Sequence, residues 1–410
     1  MHIRHLSLTN FRNYTRLELD VPPGIVLLQG DNAQGKTNLL EAIYYLSRTR
    51  SPRSRTDREL LNWLVLEDDL PFARLAIQVQ KAAETQQVEL ALIQNGTKGP
   101  NGEGSSSLRK QVRLNGANKR ASDVVGLVNA VLFLPEDIDL VTGSPSLRRR
   151  YLDDTIGQVD PRYSRELEQY EDVLTRRNYL LKSCRGQSYN ADEFAFWDQQ
   201  LVQHGAYLTV RRQQVIRQLN GLVEQSYSSL TGGSDHLRLD YAASVRPAGP
   251  LGSSYQMPLI VEPGESPTLE ASIQQAAASF GNQLREARSK ELEQGMSIVG
   301  PHRDDLRFLI NGIDMATYGS RGQQRTIALA LKLAEAEWLT QEKKDQPVLL
   351  LDDVMSELDA AHRRCLLDTL DRAQQVLITT TDLGPYHEGF VQTVTVWQVK
   401  EGRIEAPTKD

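Results

Sequence analysis

The chain has 410 residues, 40% hydrophobic and 24% charged, with a formal net charge of -6. That length allows two or three domains, and the acidic balance excludes a globally cationic coat, so any nucleic-acid contact must come from local arginine and lysine clusters. No stretch approaches the roughly 20 apolar residues that cross a bilayer, the segment from Met1 to Leu6 lacks a signal-peptide core, and Cys184 and Cys365 have neither disulfide-framework nor metal-ligand spacing; a cytoplasmic protein without a membrane partner is expected.

Ile3, Leu6 and Leu8, then Leu17, Leu19 and Val21, predict two short strands around the turn Asn10-Phe11-Arg12-Asn13-Tyr14. Arg12 in that turn either approaches a nucleotide or is a solvated turn residue. Ile25 to Leu28 then suits a buried strand, and Leu39, Ile43 and Leu46 recur at helical spacing. Between them lies Gly30-Asp31-Asn32-Ala33-Gln34-Gly35-Lys36-Thr37, a full G-x-x-x-x-G-K-T phosphate loop. Its glycines let the backbone curl so that N–H groups face phosphate oxygens. The helix beginning near Lys36 adds the positive end of its dipole. Lys36 supplies a point charge for the outer phosphates, and Thr37 a hydroxyl for Mg²⁺.

Next, Arg48, Arg50, Arg53 and Arg55 fall within eight residues with serine and threonine neighbours. Such a loop is a candidate contact for duplex phosphates; a solvated charge run is the plain alternative. Alternation from Phe72 to Ile93 predicts a strand pair, Asn95 to Ser107 a Gly- and Ser-rich loop, and Asn115-Gly116 a hairpin. These strands imply an antiparallel sheet beside the nucleotide-binding one. Val131 to Leu134 is another strand.

The character changes near Ser144. Asp160-Pro161 caps a helix carrying Tyr163, Leu167, Tyr170 and Leu174. Asp192 caps a second pattern from Phe194 to Leu208, and a third runs through Val215, Leu219 and Leu222, giving a helical arm of modest length. His204 on its apolar stripe reads as a packed histidine. Arg148-Arg149-Arg150, Arg176-Arg177 and Arg211-Arg212 place positive charge along the arm or pair with nearby acids. Thr231 to Glu265 reads as a connection, and Leu269 to Glu293 as a returning helix.

Tyr318-Gly319-Ser320-Arg321-Gly322-Gln323-Gln324-Arg325 precedes a long helical pattern, with Ser320 and Gln323 at capping-box spacing. Val348 to Leu351 is an apolar strand ending in Asp352 and Asp353, a Walker B pattern. Asp352 would hold Mg²⁺ and Asp353 would orient or deprotonate an attacking water. Asp359 caps the next helix. Thr380, Thr381 and Asp382 follow the last strong strand, at the edge where open α/β sheets bind ligands.

Phosphate loop, SRGQQ, LLLDD and SELD in this order resemble the ATP-binding-cassette (ABC) ATPases. With NFRNY at Asn10, RTRSPR at Arg48, LPEDIDLVTGSPSLRRRYLD at Leu134 and VGPHRDDL at Val299, the chain resembles the RecF recombination-repair family nearly end to end. The resemblance implies an α/β fold: a P-loop ABC-type ATPase head, with a mixed sheet, flanking helices and an antiparallel β subdomain, carrying an inserted helical arm. Residues 1–143 and 297–410 would form the head, and 144–296 the arm. Gly30 through Thr37 would bind ATP, with Ser320, Gly322 and Gln323 capping the nucleotide of a partner subunit. Lys36, Asp352 and Asp353 would be catalytic, and Thr37 and Asp352 would hold the metal. The implied protein is a clamp that dimerises on ATP, binds gapped, single- or double-stranded DNA, and hydrolyses ATP slowly as a weak DNA-dependent ATPase. It would work with RecR and RecO in recombinase loading, replication-fork maintenance and SOS induction. No switch histidine or Q-loop glutamine is evident; Thr380 or Thr381, and Pro135-Glu136-Asp137, stand roughly there. A transporter ATPase would have a shorter helical insertion, and an SMC-like structural head would need long heptad arms.

Overall fold

The computed structural model describes residues 1–54, 56–68, 70–81, 84–95, 107–185, 190–233, 235–245, 268–384 and 386–405. Strands β1 (His2–Phe11), β2 (Tyr14–Asp20) and β3 (Gly24–Gln29) lead into the helix Lys36–Arg48. Then come β4 (Phe72–Gln80), β5 (Thr85–Asn95), β6 (Ser107–Leu114), β7 (Ala117–Lys119) and β8 (Ala130–Phe133). Farther along are β9 (Leu237–Ala242), β10 (Asp305–Ile310) and β11 (Ile313–Asp314). The chain closes with β12 (Val348–Asp352), β13 (Gln375–Thr380), β14 (Thr395–Lys400) and β15 (Arg403–Glu405). Two compact units result: residues 1–137, 228–233 and 328–410, and residues 138–227 and 234–327.

The first unit holds two six-stranded sheets. One runs β15-β14-β3-β13-β12-β8, with every pair parallel except the β14–β15 hairpin. All five residues of β12 are buried, as a strand covered on both faces requires. The other sheet runs β2-β1-β4-β5-β6-β7 and is antiparallel throughout. Asn115 and Gly116 both have positive φ in the two-residue β6–β7 turn, as an Asn-Gly hairpin demands. Leu6 and Leu8, Val26 and Leu28, and Leu39, Leu40 and Ile43 of the helix share one core. That core fixes the phosphate loop between strand and helix. The expected mixed sheet and antiparallel subdomain are both present.

The second unit contains the helices Pro145–Gly157, Pro161–Ser183 and Leu269–Gln294, most of the helix Ala191–Thr231, and a sheet of order β11-β10-β9. Two expectations need correction. The second and third helical patterns form one helix of 41 residues, and the Asp192 amide donates to Asn190 Oδ1, so Asn190 starts it. The stretch read as a connection contains β9; its part from 246 on lies outside the described residues, as does 96–106 of the Gly- and Ser-rich loop. Residues 297–327 cluster in this second unit. β10 pairs with β9, and Arg148 holds Asp305 through Nε at 2.7 Å, ties that local periodicity does not announce.

Three of the seven arginines in the arm's clusters, Arg148, Arg177 and Arg212, are buried. Arg177 is bonded to Glu291 and Asp198, and Arg212 to Asp153 and Asp304. Arg211 pairs with Asp160 and Arg176 with Asp172. Ion pairing inside the arm, not an external cationic track, is their reading. His204 is packed, with Nδ1 2.7 Å from Glu166.

Candidate nucleotide-binding site

The phosphate loop needs glycine twice, for different reasons. A Cβ on Gly30 would lie 2.3 Å from the Val399 carbonyl oxygen, so the close approach of β14 forbids a side chain. Gly35 has φ 114, which L-residues rarely adopt, and it immediately precedes the helix at Lys36. The loop is clamped from two sides. Asn13 Nδ2 donates to the Gln34 carbonyl at 3.0 Å, and the Tyr14 hydroxyl donates to the Gly35 carbonyl at 3.0 Å. From the β14–β15 turn, the Gly402 amide donates to the Gln34 carbonyl at 2.9 Å and the Glu401 amide to Gln34 Oε1 at 2.7 Å.

A cavity of about 390 Å³ opens over this loop, lined by residues 32–38, Arg53, Pro135, Asp352, Asp353, Thr379 and Thr381. Lys36 Nζ donates to the carbonyls of Gly30 (2.6 Å) and Asp31 (2.8 Å), bonds that phosphate oxygens can replace. Burial lowers the Lys36 pKa, against the pull of Asp353 and Asp352. The Thr37 hydroxyl donates to Asp352 Oδ1 at 2.8 Å. A carboxylate, a hydroxyl and room for phosphate oxygens make the hard-oxygen donor set that Mg²⁺ accepts. Among the described residues no group of three His, Cys, Asp or Glu side chains could hold a metal ion. Asp353 sits in the left-handed region at φ 50, and burial raises its pKa. Its amide donates to Thr379 Oγ1 at 2.9 Å.

Of the two threonines weighed at the strand end, Thr381 lines the cavity, whereas the Thr380 hydroxyl donates to the Asp382 carbonyl. Pro135, not a glutamine, occupies the wall from the turn after β8. Ser320, Gly322 and Gln323 belong to the second unit. There Ser320 and Gln323 close a reciprocal capping box, with the Ser320 amide 2.9 Å from Gln323 Oε1 and the Gln323 amide 3.3 Å from Ser320 Oγ. Ser320 and Gly322 are exposed at the start of the helix Arg321–Lys343, and Tyr318 beside them is 74% exposed.

The arginine loop differs from expectation. Arg48 is buried at the end of its helix, 3.1 Å from Glu335 and over the Tyr44 ring. This corrects its assignment as a DNA contact: its charge is spent inside the protein. Arg53 lines the nucleotide cavity, Arg50 is exposed, and Arg55 lies outside the described residues. Sequence reasoning missed the device that shapes this loop. Arg12 Nε and Nη2 hold Glu41 at 2.9 Å each, and Ser51 Oγ donates to Glu41 Oε1 at 2.6 Å. Ser51 Oγ in turn accepts from the amides of Arg53 and Ser54. Arg12 thus serves as the ion-pair partner of the buried Glu41. The available signal was Glu41 itself, a carboxylate on the face of a helix that also carries Leu39, Leu40 and Ile43.

With this geometry in place, the relatives are informative. The profile of the RecF/RecN/SMC N terminal domain family matches residues 2–405. A protein of Chloroflexus aurantiacus named DNA replication and repair protein RecF is 41% identical, over 99% of this chain and 100% of its own. One of the same name from Roseiflexus castenholzii is 42% identical, over 98% and 99%. A structure of "the recombination mediator protein RecF-ATPrS in RecFOR pathway" superposes with a TM-score of 0.80 at 30% identity, over 99% of this chain and 98% of that one. Its counterpart described as RecF-ATP gives 0.79, also at 30% identity, over 99% and 97%.

Proposed function

The chain belongs to the RecF/RecN/SMC N-terminal domain family, among the RecF DNA replication and repair proteins, and from that premise we propose that it is an ATP-operated DNA clamp of recombinational repair. One observation carries the reading: Thr37 and Asp352, far apart in sequence, meet at 2.8 Å over a complete phosphate loop.

The chain's own residues divide the work. Backbone amides of residues 32–37 cradle the phosphates, and Lys36 exchanges its carbonyl partners for phosphate oxygens. Thr37 and Asp352 would hold Mg²⁺, which would supply positive charge to offset the charge that develops on the phosphates. Asp353 orients the attacking water, and Thr381 is the side chain at the strand end that faces the outer phosphate. Ser320 and Gly322, exposed in one subunit, cap the nucleotide held by another, so ATP joins two heads and hydrolysis parts them. A weak, DNA-stimulated turnover is then a reset rather than a metabolic reaction. DNA lies against exposed cations such as Arg50, and RecO and RecR are the expected mediator partners in recombinase loading.

Sedimentation with and without ATP, Mg²⁺ and gapped DNA tests this. Nucleotide-dependent dimers on DNA are expected, Lys36→Met should lose nucleotide binding, and Asp353→Asn should prolong the dimer. A chain that stays monomeric with a non-cleavable triphosphate, Mg²⁺ and DNA overturns the clamp.

A further inference from the structure

Thr379 was not among the residues expected at the site, yet its hydroxyl touches both acids. It is 1% exposed and lies beside Asp352 in the parallel register of β12 and β13. Its hydroxyl donates to Asp352 Oδ1 at 2.8 Å and accepts the Asp353 amide at 2.9 Å. A threonine hydroxyl has one proton and two acceptor positions, so both bonds form at once.

We infer that Thr379 is the positioning residue of the acid pair: it fixes the Asp352 carboxylate for the metal and holds Asp353 in the turn from which it meets water. The inference rests on reading the cavity as an Mg²⁺–ATP site. Asp352 Oδ1 accepts two hydroxyls, from Thr37 and Thr379. Thr37 must also offer its oxygen to the metal, which changes its geometry when nucleotide arrives. Thr379 lies behind the acids as a partner of protein groups, Asp352 Oδ1 and the Asp353 amide, and keeps Asp352 anchored while Thr37 shifts. At Asp353 the strand ends in a left-handed residue, φ 50 and ψ 22, a conformation that is costly away from glycine. The amide that this turn would leave unpaired is the one Thr379 accepts.

The substitutions T379V and T379S separate positioning from packing, because valine keeps the shape and loses the hydroxyl, whereas serine keeps the hydroxyl and loses a methyl. A fluorescent ATP analogue is titrated in EDTA and in excess Mg²⁺, and hydrolysis is followed against Mg²⁺ concentration. For T379V the Mg²⁺ midpoint should rise about tenfold and kcat fall about tenfold, with affinity in EDTA within about twofold of wild type. T379S should stay within about threefold of wild type throughout. A T379V protein with the wild-type Mg²⁺ midpoint, or a T379S protein as damaged as T379V, overturns the assignment. Should T379V not fold by thermal melting, T379C, with its weak S–H donor, takes its place in both titrations, and a wild-type midpoint there is equally fatal. If wild-type affinity does not respond to Mg²⁺ at all, the reading of the cavity fails, and the assignment of Thr379 fails with it as a separate, identifiable result.

Discussion

Glu41 is 2% exposed and accepts three hydrogen bonds from two side chains, two from Arg12 and one from Ser51. A buried carboxylate deprived of its cation keeps its desolvation cost, so Arg12→Ala should lower unfolding free energy by about 3 kcal/mol in denaturant titrations. Ser51→Ala removes one hydroxyl bond and should cost about 1 kcal/mol. Both release the loop carrying Arg53, so nucleotide affinity should fall along with stability. Gly402 is a second sensitive residue, since it has φ 70 and a Cβ there would lie 2.6 Å from the Asn13 carbonyl oxygen. Gly402→Ala should push the turn off Gln34 and weaken ATP binding about tenfold in equilibrium titration. Each acts at one remove: Glu41 shapes the arginine loop through Ser51, and Gly402 holds the phosphate loop through the Gln34 carbonyl.

Among the elements, the short turn Pro301–Arg303 carries an acid-sensitive histidine. His302 Nε2 donates to the Ser297 carbonyl at 3.1 Å, so Nδ1 is left to accept from the Tyr170 hydroxyl at 2.6 Å. Burial lowers its pKa to about 4, and Arg303, Arg149 and Arg177 add to the shift. An unfolded histidine titrates near 6.5, so between these values the unfolded chain binds more protons. His302 therefore contributes fully above pH 6.5, and its contribution is lost as pH falls toward 4, by at most about 3 kcal/mol. Melting curves from pH 7.5 to 4.5 should show this loss, and His302→Gln should flatten it. The helix Ala191–Thr231 makes a different point at this scale. Its apolar positions are visible as two patterns, but no turn residue separates them, and a buried series through Phe194, Leu201, Leu208, Val215, Leu219 and Tyr227 runs along one continuous helix.

For the whole molecule the net charge of -6 means that the proposed DNA contact would be a local one. Within the described part of the arginine loop, Arg50 is the exposed side chain not committed to the cavity or the core. Arg50→Ala should weaken DNA binding about equally for all sequences and reduce the salt slope by about one. An unchanged slope would move the DNA surface to another part of the chain. Tyr318, Ser320 and Gly322 are exposed, and under the proposed clamp ATP-dependent sedimentation should respond to Ser320→Arg while ATP affinity of the isolated subunit does not.

The sequence by itself determined the elements whose signals are local. The phosphate loop, the Asn-Gly hairpin, the helix starts at Asp160 and Ser320, and the buried strand ending at Asp352 and Asp353 each follow from a few neighbouring residues obeying backbone sterics, capping or burial. Tertiary structure alone decided what charged and hydroxyl groups do. Arg48 went to Glu335, Arg12 to Glu41, residues 297–327 to the second unit, and Thr379 to both acids. An ionic or hydroxyl group is satisfied by whichever opposite group the fold carries to within 3 Å or so, and those partners lie up to 287 residues away, beyond the reach of any local pattern.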